Sequence, residues 1–87
     1  MYNIFFKKHN KFDDTNAQKN IAVEEMLAKT IIENRNQAGL TQNELSKLTG
    51  IPQANISKIE NGMGNPSLKL LKRIAKSLNK KLIIRME

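Results

Sequence analysis

Thr41-Gln-Asn-Glu-Leu-Ser-Lys-Leu-Thr-Gly50-Ile-Pro-Gln-Ala-Asn-Ile-Ser-Lys-Ile-Glu60 decides how the rest of the chain is read. Its first four residues form a capping box, in which the Thr41 hydroxyl satisfies one free amide of a helix start and Glu44 reaches back to another. This predicts a short helix over about 42–49. Gly50 stops it, because glycine accepts the left-handed backbone that follows a helix. Pro52 sits where a first-turn proline is tolerated and opens a next helix ending near Glu60. Ser46 is small enough for a steep crossing, and Leu45, Ile51, Ile56 and Ile59 fall where each helix must bury a face. The expected unit is two short helices across a tight turn.

Upstream, Asp13, Asp14 and Thr15 are candidate caps for a long helix reaching Gln37, with Val23, Leu27, Ile31 and Ala38 at roughly helical spacing. Ile21, Ala28 and Ile32 form a second apolar strip, suited to face the N-terminal arm or another chain. Gly39 then ends the helix. Downstream, Asn61-Gly62 and Gly64-Asn65-Pro66 make a loop. A fourth helix is expected from about Ser67 to Leu78, with Leu68, Leu71, Ile74, Ala75 and Leu78 on one side, Lys69, Lys72, Arg73 and Lys76 on the other, and Asn79 as a cap. From Lys81 the period becomes two: Leu82, Ile84 and Met86 alternate with Lys81, Ile83 and Arg85, as in a short strand. A lone strand lacks hydrogen-bond partners. Its partner is the strand-like stretch 2–6, a second copy of the chain, or another protein.

Eighty-seven residues suit one small domain. The absence of cysteine excludes disulfides and thiolate metal sites. His9 is the single histidine and has no ligand partner at metal spacing, so neither a metal nor another cofactor is expected. Gly62 and Gly64 lack the strand–loop–helix setting of a nucleotide site, and no catalytic constellation is present. These features argue against an enzyme. The apolar start is too short for a signal peptide or a membrane span, and the expectation is a soluble cytoplasmic protein with no membrane role. The net charge of +7 is uneven: residues 1–40 hold six Lys/Arg and five Asp/Glu, residues 41–87 nine and three, leaving +1 and +6. A basic half attracts polyanions.

Arg35-Asn-Gln-Ala-Gly-Leu-Thr-Gln-Asn-Glu-Leu45 and Gly50-Ile-Pro-Gln-Ala-Asn-Ile-Ser-Lys-Ile-Glu-Asn-Gly62 resemble the Cro/repressor-type (Xre) helix-turn-helix family, over about residues 31–78. The resemblance implies an all-α, lambda-repressor-like helix-turn-helix bundle with a long first helix and a short C-terminal β-strand. It also implies a transcriptional repressor that binds double-stranded operator DNA. Gln53, Ala54, Asn55 and Lys58 would then meet base edges: a glutamine amide pairs bidentately with adenine, and an alanine methyl touches thymine. Thr41, Gln42, Ser57, Asn61 and Asn65 would hold phosphates. Arg35 and Glu60 would form a structural ion pair. One departure is Leu48-Thr49, where many members place the apolar residue second; Thr49 can still bury its methyl group.

All four aromatic residues, Tyr2, Phe5, Phe6 and Phe12, lie in the first twelve positions, outside the expected aliphatic core. With Leu82, Ile83 and Ile84 they are the candidate dimer or partner surface. The stretch from Asn65 to Arg85 is similar to antitoxins of the HigA type. That similarity implies a homodimer that represses its own operon and binds a RelE-like ribonuclease toxin. A stand-alone regulator without a toxin, or a HipB-like partner of a kinase toxin, is the alternative. The expected organisation is a partner-binding arm over 1–19, a helix-turn-helix domain over 20–79 and a dimerisation or pairing strand over 80–87.

Overall fold

The structure, a computed structural model, describes residues 4–5 and 22–86. Four helices dominate: α1 (Val23–Gln37), α2 (Gln42–Thr49), α3 (Gln53–Glu60) and α4 (Leu68–Ser77), flanked by two-residue strands β1 (Ile4–Phe5) and β2 (Ile84–Arg85). The fold is all-α with a minimal terminal sheet.

Local signals explain most helix boundaries. At α2, Thr41 Oγ1 accepts from the Glu44 amide at 3.0 Å while Glu44 Oε1 accepts from the Thr41 amide at 2.8 Å, so the capping box is complete. Gly50 closes α2 at φ 75°. Ser67 caps α4, its hydroxyl accepting from the Leu70 amide at 3.1 Å. Asn79 ends α4 at φ 61°, a left-handed value asparagine tolerates, and the Lys80 amide bonds back to the Ala75 carbonyl at 2.8 Å.

Two starts differ from expectation. Asp13, Asp14 and Thr15 lie outside the described residues, and α1 begins at Val23, because Ala22 is extended (φ −60°, ψ 149°). Alanine offers no capping side chain. The Ala22 carbonyl accepts from the Glu25 and Met26 amides, and Glu24 and Glu25 place negative charge at the positive end of the helix. Pro52 is the N-cap of α3 rather than its first residue, at ψ 139°; lacking an N–H, it contributes its carbonyl to Asn55 and Ile56.

Each helix supplies one side chain to the centre of the core: Ile31, Leu45, Ile56 and Ile74 are fully buried. Burying such a side chain stabilises by roughly 1.5–3 kcal/mol. Leu27, Ile51, Ile59, Leu71, Ala75 and Leu78 complete the cluster, with Leu40, Leu70 and Leu82 packed against it. Some apolar assignments shift. Val23 and Leu68 are exposed, each being the first residue of its helix, beyond the end of the core, and Ala38 is exposed at the α1 C-cap. Ala28 is buried rather than on an outward strip.

The expected strand over Lys81–Met86 is reduced to Ile84–Arg85. It pairs parallel with β1, Ile4 opposite Ile84 and Phe5 opposite Arg85. The alternation breaks because Leu82 turns onto the helical core and Ile83 is half-buried, while Ile84 and Met86 are exposed. Among the described residues no helix is long and apolar enough to cross a membrane.

Candidate nucleic-acid interface

Helix α3 has two distinct faces. Ile56, Ile59 and Glu60 are buried. Gln53, Ala54, Asn55 and Lys58 are exposed and Ser57 is half-exposed. Gln53, Ala54 and Asn55 at the start of the helix thus present an amide, a methyl and a second amide to solvent, and Lys58 in its last turn an ammonium group. These donors, acceptors and apolar groups complement those that base edges present in a major groove. Beside them, Asn55, Lys58, Gly64, Asn65 and Ser67 line an open groove of about 340 Å³ between α3 and the start of α4.

The turn preceding α3 is held by side chains as well as by Gly50. Thr49 Oγ1 donates to the Leu45 carbonyl at 2.8 Å and accepts from the Ile51 amide at 3.1 Å. Ser46 Oγ donates to the Ile51 carbonyl. Both backbone groups of Ile51 are therefore satisfied by α2 side chains while its own side chain is buried. By sequence alone Thr49 is expected to bury its methyl and Ser46 to serve by small size. Their hydroxyls were the missed signal, since Ser and Thr at a helix end commonly bond nearby backbone.

The far end of α3 is held by charge. Arg35 Nε donates to Glu60 Oε2 at 2.7 Å and Nη2 to Oε1 at 2.9 Å, while Nη1 donates to the Leu40 carbonyl at 2.8 Å. The Arg35 and Glu60 side chains are only 13% and 3% exposed. The hydrogen bond and charge of Glu60 raise the Arg35 pKa above its ordinary value, against the opposing effect of burial. Gln42 Nε2 also donates to Glu60 Oε1, at 2.9 Å. Among the described residues no buried side-chain polar atom lacks a partner.

With this geometry in place, the chain matches the Helix-turn-helix family model over residues 31–84. The chain belongs to the Helix-turn-helix family. It is 40% identical over 58 residues to an uncharacterized HTH-type transcriptional regulator of Haemophilus influenzae, an alignment that covers 67% of this chain and 59% of that protein. It is 42% identical over 53 residues to a second such regulator, from Methanothermobacter thermautotrophicus, covering 61% of this chain and 77% of the relative. The crystal structure of an HTH_3 family transcriptional regulator from Vibrio cholerae superposes with a TM-score of 0.64 at 28% identity, covering 67% of this chain and 33% of that one. The chain therefore spans 59% of the Haemophilus protein and 33% of the Vibrio one, less than two thirds of either.

The remaining candidate residues of this helix-turn-helix unit fall in different places. Asn61 is exposed, its Nδ2 3.5 Å from Ser57 Oγ. Thr41 is exposed with its hydroxyl oxygen engaged in the capping box. Gln42 is half-buried and turned toward Glu60, so one of its N–H groups is used inside the protein. Tyr2, Phe6 and Phe12 lie outside the described residues, and only the backbone of Phe5 is described. Of the C-terminal partner candidates, Ile84 is exposed, Ile83 is half-buried and Leu82 belongs to the core margin.

Proposed function

We propose that this helix-turn-helix chain is a sequence-specific regulator of transcription that binds duplex DNA through the exposed face of α3. The observation that carries this reading is the pairing on one short helix of buried Ile56 and Ile59 with exposed Gln53, Ala54, Asn55 and Lys58. In it, Gln53 and Ala54 read bases, Asn55 and Lys58 reach bases or backbone, and Asn61, Asn65 and Ser57 hold phosphates. The excess charge of residues 41–87 adds affinity that does not depend on sequence, by displacing counterions. The test is selection of preferred duplexes from a random-sequence pool, followed by affinity measurement on the selected and scrambled duplexes. Gln53→Ala is expected to lose about 1–3 kcal/mol on the selected duplex, concentrated at one base step. Equal loss on both duplexes would count against the assignment.

The finer reading is a homodimeric antitoxin that represses its own operon and neutralises a RelE-like ribonuclease. Its support is the similarity of the Asn65–Arg85 stretch to HigA-type antitoxins, together with exposed apolar side chains at Val23, Leu68 and Ile84 around one groove. A two-fold dimer would set two α3 helices about one DNA turn apart, roughly 34–36 Å. Purification with the product of the neighbouring gene, and mass measurement with and without the selected duplex, tests this. A chain that purifies alone beside no toxic neighbour is a stand-alone regulator.

A further inference from the structure

We infer that Gln42 is a positioning residue for the recognition helix, acting through Glu60, so that its internal bond contributes to sequence choice whatever its second N–H group meets. The inference rests on the DNA-reading role proposed for α3. Gln42 is the first residue of α2 and Glu60 the last of α3. Their bond at 2.9 Å therefore spans the two helices at the ends remote from the Gly50 turn. The orientation of the Gln42 amide is set by chemistry, since a carboxylate only accepts and the opposite flip would place oxygen against oxygen.

Glu60 has two oxygens and three side-chain donors: Oε2 takes Arg35 Nε, and Oε1 takes both Arg35 Nη2 and Gln42 Nε2. Arg35 ties the carboxylate to α1, and Gln42 ties the same carboxylate to α2. The two bonds together fix the C-terminal end of α3 against two other helices. The Thr49 and Ser46 hydroxyls fix the chain where it enters α3. With both ends held, α3 has one orientation in which to present Gln53 to Asn55. Without the Gln42 bond Arg35 alone holds the carboxylate, which loosens α3 against α2, and a bidentate amide–base pair depends on the helix being held in one orientation.

The test is Gln42→Met, which keeps the length of the side chain and deletes the donor. Two quantities are read: the urea midpoint of the DNA-free protein, and the ratio of affinities for a duplex selected by the wild-type protein and for a scrambled duplex. The folded fraction cancels from that ratio, so loss of stability alone does not move it. The expected results are a folding constant lowered by about tenfold, the scale for losing a hydrogen bond to a charged group, and a smaller affinity ratio. In a Glu60→Gln background the same substitution should have a smaller effect on the folding constant. Unchanged stability with equal loss on both duplexes would mean a phosphate contact and overturn the inference. An unchanged ratio would overturn it as well. If the wild-type protein selects no duplex, the DNA-reading proposal fails, and the double-mutant cycle in the free protein still decides whether Gln42 and Glu60 are coupled.

Discussion

The Ile51 amide donates to Thr49 Oγ1 at 3.1 Å across the left-handed turn at Gly50. Neither Thr49 nor Ile51 is more than 7% exposed, so water cannot replace this acceptor. The same hydroxyl donates back to Leu45, which makes Thr49 a two-way connector between the end of α2 and the entry to α3. Thr49→Val keeps the shape and removes the hydroxyl. It should destabilise the chain by about 1–3 kcal/mol, the cost of an unsatisfied buried donor, measured by urea denaturation. Thr49→Ser should retain more of the stability. A cost near zero for Thr49→Val would show that the bond is dispensable.

Arg35 and Glu60 form a mostly buried, two-bond ion pair, and removal of either partner leaves the other uncompensated. Arg35→Ala and Glu60→Ala are each expected to cost about 3–5 kcal/mol. The pair itself adds less net stability than that, because much of the loss is the penalty of the orphaned charge. Joint replacement by Met and Leu should therefore be milder than either single truncation. Chemical denaturation of the three variants checks this ordering.

The pH dependence of α2 follows from Glu44, whose pKa lies below the ordinary value because it accepts the Thr41 backbone hydrogen bond and pairs with the Thr41 side chain. A lowered folded pKa means stability that is fully present above the ordinary unfolded value and lost as pH falls through the folded one. The stability difference between the wild type and Glu44→Ala should therefore hold steady at neutral pH and close on acidification below that region. A gap that widens in acid would contradict the capping role. Thr41→Ala, which removes the other half of the box, should cost about 1 kcal/mol.

Gly50 has φ 75°, and among the described residues a Cβ there would meet no atom within 4 Å beyond its chain neighbours. The penalty for Gly50→Ala is then conformational alone, about 1–2 kcal/mol. Gly50→Asn should cost less, since asparagine visits the left-handed region more readily. Thermal unfolding of both variants tests the order.

Lys58 is exposed beside Asn55 and Asn65 at the groove next to α3. If it neutralises a phosphate, Lys58→Ala weakens selected and scrambled duplexes alike and reduces the slope of log affinity against log salt by about 1. If it reads a base, the loss falls on the selected duplex. Titrations at several salt concentrations separate the two.

Much of the fold was legible from short-range chemistry. The Thr41–Glu44 box, the glycine at 50 and the Ser67 cap each involve groups within four residues of one another, so sequence adjacency guarantees their encounter. The alternation of exposed and buried residues along α3 was legible for the same reason, since Gln53 to Glu60 follow one helical period. The start of α1 was not, because Asp13, Asp14 and Thr15 look like caps whereas Ala22 carries no side-chain signal, and the extended backbone there leaves none. Val23 and Leu68 match a helical stripe by spacing, yet both stand at the first positions of their helices and are exposed among the described residues.

The sequence by itself determined where the chain turns, which helices form and which side chains of α3 face outward, because caps, left-handed glycines and helical period are properties of neighbouring residues. Only the tertiary structure decided how the polar groups are spent. Gln42 and Glu60 are 18 residues apart and Arg35 and Glu60 25 apart; the family resemblance implied the second pair, while the first is visible only in the packed structure. Whether a polar side chain is free for a ligand or consumed by a buried carboxylate depends on what the packing of α1, α2 and α3 brings within 3 Å, and no local pattern encodes that distance. The same holds for Leu82, which matches a strand face by alternation but closes the margin of a helical core.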